Sequence, residues 1–391
     1  MAAMPSCATP IPVPYDAKPP SHGRASKSDH VSRRAKAAAW ACFELVLGAA
    51  RLASALFART RRVDVIVYKV DRLGDWLLAE ATIARIVSAT RARGGTVVVW
   101  AGLESAAYRE WRRPDFEVEA FSLEPRGLVA KLRRACAVVR LLAVYRARTL
   151  VCLRHTPEPV RDFVLSHACA EGIHALSRRL ASGPPDGVPH EIARHFAILA
   201  GLGMEPADVR DLLPRLPGRV RPPARRVVLA PFSSATIKDW RDESWCDVVA
   251  GLADRGFQFE IWVSADQMGR AEGLARRLEE RAGGLKVAAR SGKLAELADA
   301  VGSASLVLTV DTFAAHLAAA MDAPMVCAIG GGLYGDFGPW SNSWRQRWVT
   351  HEVPCFGCGW RCSRPRVECL EDIRPSTFLS ELEDVLKRDA G

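Results

Sequence analysis

Short apolar, β-branched runs alternate with helical stretches along most of this chain, which predicts an α/β protein built on parallel sheets. Two further observations sharpen that expectation. The alternation comes in two series, separated by the Pro-rich break Pro214–Pro223 (PRLPGRVRPP). Several runs also end directly in hydroxyl, carboxylate, lysine or glycine residues, at the strand ends where open α/β sheets bind ligands. The expected architecture is therefore two Rossmann-like domains facing a cleft.

The elements follow in order. Residues 1–30 are rich in Pro and Ser, the composition of a disordered tail. Residues 35–58 carry a helical pattern with a wide apolar face and Trp40. Glu44 and Arg51 within it argue against a membrane-crossing helix. Such a helix suits the membrane interface, or packing on the protein or a second subunit. Val63–Lys69 reads as a buried strand, Leu77–Thr90 as a helix, Thr96–Ala101 as a strand and Gly127–Tyr145 as a long basic helix. Thr149–Leu153 is a strand and His190–Gly201 a helix. The second series has strands at Val227–Ala230, Phe259–Val263, near Lys286, at 306–310 and at Met325–Ile329. Helices are expected between them at 242–254, 267–281, 293–302 and 312–321.

With 391 residues there is enough chain for two ordinary domains. Hydrophobic residues at 49% and charged residues at 25% place it among folded globular proteins. A net charge of +10, mostly from arginines spread along the chain, suits acidic substrates or an anionic membrane. No zinc-finger, helix-turn-helix or RNA-binding signature supports nucleic acid. No apolar h-region with a cleavage site precedes the fold, so a cytoplasmic location is expected.

Four segments carry the chemistry. After the first strand comes Val70-Asp71-Arg72-Leu73-Gly74-Asp75-Trp76. Asp75 there either caps the helix or aims a carboxylate into the cleft as a proton acceptor. Ser233, Ser234 and Lys238 follow the first strand of the second series; two hydroxyls and an ammonium suit phosphate oxygens. Asp266, after the next strand, suits ribose hydroxyls. Asp311, Thr312 and His316 mark a strand feeding straight into a helix N-terminus, whose unpaired N–H groups favour an anion. Gly330-Gly331-Gly332 then offers a turn that lets backbone approach a phosphate. No Walker A motif and no D-x-D pair occurs, which disfavours P-loop NTPases and metal-dependent nucleotide-sugar enzymes.

The order L-G-D, then S-S-x-x-x-K-x-W, then D-T-x-x-x-H, then Gly338-Pro339-Trp340 resembles glycosyltransferase family 9, the ADP-heptose:lipopolysaccharide heptosyltransferases. The resemblance covers about residues 63–390. It implies a GT-B fold, with an acceptor-binding domain at 63–215 and a donor-binding domain at 224–352. Residues 1–62 would be the tail and amphipathic helix, and 353–391 a cysteine-rich loop and C-terminal helix. It also implies inverting transfer of heptose or a related sugar from a nucleotide-diphosphate donor, ADP-linked, to a lipopolysaccharide-core or other cell-surface glycan. No metal would be obligatory, and the enzyme would sit in the cytoplasm, peripheral at the inner membrane. Matched by motif, Asp75 would be the general base, while Ser233, Ser234 and Lys238 would hold the donor phosphates. Asp266, Asp311, Thr312 and His316 would complete the donor site. Phe313 departs from the family, which has Gly there, and a ring at that position would reshape the sugar pocket. The alternative is a catalytically silent GT-B-like scaffold that assembles through its cysteine loop.

That loop contains Cys355, Cys358, Cys362 and Cys369. Four thiolates at this spacing can hold a structural zinc or iron with no open position for catalysis. A reduced loop that packs on the donor domain is the other reading.

Overall fold

The computed structural model describes residues 60–123, 127–156, 158–176, 187–217, 225–341 and 343–390. The expected tail and helix within 1–62 lie outside the described residues, apart from the last three positions, and so does most of the Pro214–Pro223 break.

Among the described residues, eleven parallel strands form two sheets. The chain divides into two compact units. One comprises the described parts of Met1–Asp71, Ile86–Glu104 and Asp115–Arg178; the other comprises Arg72–Arg85, Ser105–Pro114 and the described parts of Arg179–Gly391.

The first unit is built on β1 (Arg61–Lys69), β2 (Val97–Gly102), β3 (Glu117–Phe121), β4 (Tyr145–Cys152) and β5 (Ala170–Ala175), in the order β3-β2-β1-β4-β5. Helix α1 (Leu73–Ala92) follows β1, and its last residues belong to this unit; α2 (Ala106–Arg112) follows β2. Helix α3 (Leu128–Val144) leads into β4, and α4 (Pro159–His167) into β5. The central strand β1 is covered on both faces, and its last five residues, Val65–Lys69, are all buried. That is why it reads as a continuous apolar run. Ile66, Tyr68, Trp100, Leu142, Leu150 and Phe163 belong to one core. The edges read differently. β3 (EVEAF) and β5 (AEGIHA) are largely half-exposed and lack an apolar run, and neither strand was expected from the sequence.

The second unit holds α5 (His190–Gly201), β6 (Arg226–Ala230), α6 (Asp242–Ala250), β7 (Gln258–Trp262), α7 (Met268–Arg281), β8 (Val287–Arg290) and α8 (Leu294–Gly302). It continues with β9 (Leu306–Val310), α9 (Phe313–Ala320), β10 (Met325–Ala328), β11 (Gln346–Val349), α10 (Glu368–Glu371) and α11 (Pro375–Ala390). Its sheet runs β11-β10-β9-β6-β7-β8, so the strand order reverses between β6 and β9. Such a switch point leaves a crevice at the carboxyl ends of the strands, the preferred ligand position in open sheets. Helix α11 closes the core: Phe378 stacks on Trp240 at 5.0 Å and meets Trp245 edge-on. Trp240 is thus a buried anchor for the loop that carries Lys238.

Candidate functional site

Two loops flank the switch point of the second sheet. The β6 loop, 231–240, is braced from within. The Asp239 carboxylate accepts from the Ser233 N–H at 2.6 Å and from Arg270 at 2.6 Å. The Arg270 guanidinium in turn lies 3.7 Å over the Phe232 ring. Burial raises the Asp239 pKa, with those two hydrogen bonds opposing. The Gln267 side chain donates to the Ser233 carbonyl at 3.0 Å, tying the β7 turn to the same loop.

This bracing delivers Lys238 to the β9 end, where its Nζ lies 2.7 Å from Asp311 Oδ2. Asp311 is buried, and burial alone would raise its pKa; the adjacent Lys238 charge and hydrogen bond outweigh that and hold it below the usual carboxylate value. His316 Nε2 lies 3.9 Å from the other Asp311 oxygen. Burial, aided by the Lys238 charge and opposed by Asp311, pushes the His316 pKa down to about 4. The Trp340 indole N–H donates to His316 Nδ1 at 2.9 Å. A Cβ on Gly74 would sit 3.2 Å from His316 Cδ2, so only glycine lets the turn before Asp75 approach this ring without a shift.

Thr312 occupies the N-cap position of α9 in extended backbone, with no side-chain cap. The first N–H groups of α9 therefore carry no side-chain acceptor at the cap, beside the Lys238–Asp311 pair.

The expected site residues divide as follows. Lys238, Asp311 and His316 come together. Ser233 is buried inside its loop, while exposed Ser234 accepts from Arg72 at 2.6 Å. Asp266 is exposed on the β7 turn, next to Gln267. Asp75 lies half-buried in the first turn of α1. The Phe313 ring meets Tyr108 edge-on at 6.3 Å, and Tyr108 in turn donates to Glu80. Sequence reasoning missed Arg72, Asp239, Arg270, Trp340 as a histidine partner, and Trp360. Charged residues four to six positions from the hydroxyls were the available signal for Asp239; nothing local pointed to Trp360.

Trp360 belongs to the cysteine loop, and its ring lies 5.7 Å from Lys238 Nζ. The loop packs on the Gly330–Gly332 turn through two backbone bonds of 2.8 Å, Gly357 N–H to the Gly331 carbonyl and Gly359 N–H to the Gly332 carbonyl. The side-chain positions those glycines leave empty are filled by the Phe356 and Trp360 rings. The turn expected to open toward a phosphate is thus covered on that side by aromatic rings.

Cys355, Cys358, Cys362 and Cys369 are free thiols lining one pocket with Phe356 and Val367. Among the described residues, no group of three or more His, Cys, Asp or Glu side chains is placed to hold a metal ion. Cys369 is buried on α10 against Gly330, whereas Cys362 is exposed. Burial and the neighbouring thiols raise both their pKa values.

The first sheet has its own charged cluster at its switch point. Fully buried Lys69 donates to the Leu153 carbonyl at 3.0 Å and pairs with Asp71 at 3.0 Å. Arg154 reaches Asp71 and the Val70 carbonyl, each at 2.6 Å. The cluster fixes the ends of β1 and β4.

Residues 211–362 match the family model for glycosyltransferase family 9 (heptosyltransferase). Lipopolysaccharide heptosyltransferase 3 of Escherichia coli is 27% identical over 127 residues, 32% of this chain and 36% of that protein. Lipopolysaccharide heptosyltransferase 1 of Pseudomonas aeruginosa is 32% identical over 122 residues, 31% of this chain and 32% of that protein. The chain thus spans about a third of the length of the curated relatives it matches. Among solved structures, the E. coli heptosyltransferase WaaC with ADP-2-deoxy-2-fluoro heptose superposes with a TM-score of 0.54 at 18% identity, covering 82% of this chain and 99% of that one. The fold is α/β of the GT-B type. Residues 211–362 are thus similar to glycosyltransferase family 9, and the fold is the one its solved heptosyltransferase WaaC adopts.

Proposed function

We propose that this chain is an inverting glycosyltransferase of lipopolysaccharide biosynthesis. It moves heptose or a related sugar from an ADP-linked donor to a lipopolysaccharide-core or other cell-surface glycan. The observation that carries this reading is the Lys238–Asp311 pair at the switch point, beside the start of α9 and inside the family match. Binding of an ADP sugar by WaaC, which shares the fold, supports a nucleotide-diphosphate donor.

Asp75 takes the proton of the acceptor hydroxyl. That oxygen bonds to the anomeric carbon from the face opposite the diphosphate as the bond from that carbon to the diphosphate oxygen breaks. The electron pair leaves with the nucleoside diphosphate. Lys238 and the first N–H groups of α9 meet the charge that develops there, so this reading assigns no obligatory metal. Ser233, Ser234, Thr312 and Asp266 complete the donor site. The cysteine loop is a reduced cap on the Gly330–Gly332 turn. The protein works in the cytoplasm, peripheral at the inner membrane; among the described residues, no helix is long and apolar enough to cross a membrane.

The test combines calorimetry with ADP and transfer from ADP-heptose. Asp75→Asn should keep ADP affinity and lose about 10²–10⁴ in transfer rate. Lys238→Ala should weaken ADP binding by about tenfold or more, the effect of losing a hydrogen bond to a charged group. Unchanged affinity in Lys238→Ala would remove the donor-site assignment. A silent GT-B-like scaffold is the second reading, favoured by Phe313 where the family has Gly and by the engagement of its ring with Tyr108. ADP binding without turnover on any nucleotide sugar would decide for it.

A further inference from the structure

We propose that Trp340 is a positioning residue. It fixes His316 in the tautomer that carries its proton on Nε2, so that the ring presents a neutral N–H donor next to Asp311 and the first turn of α9. The part of this inference that concerns catalysis rests on the glycosyltransferase reading; the tautomer itself does not.

An indole N–H can only donate. Trp340 Nε1 lies 2.9 Å from His316 Nδ1, so that nitrogen must offer its lone pair. The two rings are nearly parallel, at 8°, with centroids 6.3 Å apart, as expected when the N–H points along the imidazole plane where the lone pair lies. Trp340 is itself 2% exposed, and the ring of Trp348 packs against His316 from another side at 6.4 Å. The indole therefore has little freedom to let go. Once Nδ1 accepts, a neutral imidazole has its proton on Nε2.

The Nε2 edge faces the site. It lies 3.9 Å from Asp311 Oδ1, beyond hydrogen-bond range, so Asp311 does not consume this proton. Gly74 contributes no side chain to cover that edge. With its pKa near 4 the ring is neutral at pH 7. The consequence concerns sign. In the other tautomer the ring would aim a lone pair at an anionic ligand and repel it. In the fixed tautomer it donates a hydrogen bond to a diphosphate oxygen without giving up a proton. Lys238 then supplies the charge and His316 the direction.

The measurement is a long-range ¹H–¹⁵N correlation spectrum of the His316 ring in the full chain at pH 7, with and without ADP. The expected result is a single tautomer with unprotonated Nδ1 and protonated Nε2. Trp340→Phe, which keeps a ring but lacks the N–H, should show tautomer exchange. It should bind ADP about two- to tenfold more weakly, because only a fraction of molecules is competent. His316→Gln, whose amide nitrogen reaches the Nε2 position, should retain more ADP affinity than His316→Asn, whose amide reaches only Nδ1. A protonated Nδ1 or an imidazolium in the wild-type protein would overturn the proposal, even if Trp340→Phe failed to fold. So would an unchanged tautomer in Trp340→Phe. The expected tautomer in a protein that binds no ADP would leave the hold of Trp340 on His316 standing and sink the glycosyltransferase reading instead.

Discussion

Burying an imidazole beside a lysine has a measurable cost in acid. Free in the unfolded chain, His316 takes up a proton near its ordinary pKa of 6.5; folded, it does so only near 4. Below 6.5 the unfolded state therefore binds more protons than the native state, and stability falls as the pH drops from 6.5 toward 4. The full interval corresponds to about 3 kcal/mol at 1.36 kcal/mol per pH unit. Asp311 behaves differently: its folded pKa is already depressed, so its contribution is present above the ordinary carboxylate pKa and is lost only at more acid pH. Denaturant melts at stepped pH values should show a shallower slope between 6.5 and 4 in His316→Gln than in the wild type. Equal slopes would mean that the ring titrates normally in the fold. The Lys238, Asp311 and His316 cluster was legible from the sequence because Asp311 follows a strand directly, His316 lies in the helix that starts there, and Lys238 lies in the loop after another strand. Trp340 was legible only as part of a motif, since its role depends on a contact 24 positions away.

At the scale of elements, the legible parts were those buried on both faces. β1, β6 and β9 are continuous apolar runs, and they were expected within two residues of where they lie. The edge strands β3, β5 and β11 mix charge or glycine with short apolar stretches, because one side of an edge strand has no partner to bury against. Helix α4 was missed although it carries a start signal: Pro159 stands in its first turn, and the Glu158 carboxylate caps the Arg161 N–H at 2.9 Å. The cysteine loop was legible as a compact turn but not as a lid on glycines. Its packing sets a prediction. A methyl group on Gly332 would run into the Trp360 ring, and one on Gly331 would lie 2.5 Å from Phe356. Gly332→Ala should cost about 1–3 kcal/mol of stability, as overpacking typically does, and should displace Trp360 from Lys238. A Gly332→Ala protein that melts with the wild type, and whose Trp360 fluorescence is unaltered, would show that the loop does not rest on this turn in solution.

For the whole molecule, the sequence announced two parallel sheets but not how charge is distributed over them. Within the described residues many arginines are spent internally: Arg194 pairs with Glu191 and Asp336, Arg154 with Asp71, and Arg134 with Glu158. The net charge is nonetheless +10, so the surplus is available to an anionic partner. If the protein works at a membrane carrying anionic lipid, it should co-sediment with phosphatidylglycerol-containing vesicles at about 0.01 M salt. It should detach near 1 M, where the screening length has fallen from about 30 Å to about 3 Å. Absence of binding at low salt would place the protein away from such surfaces.

The approach of Gly74 to His316 has a consequence for how this sequence can drift. A residue without a side chain faces a ring at 3.2 Å from where its first carbon would be, so the two positions form a linked pair of locks. A substitution that lengthens position 74 requires the His316 ring to give by a few tenths of an ångström, and its hydrogen bond to Trp340 resists that movement. A combinatorial library over 74, 316 and 340 should therefore yield survivors enriched in matched triplets.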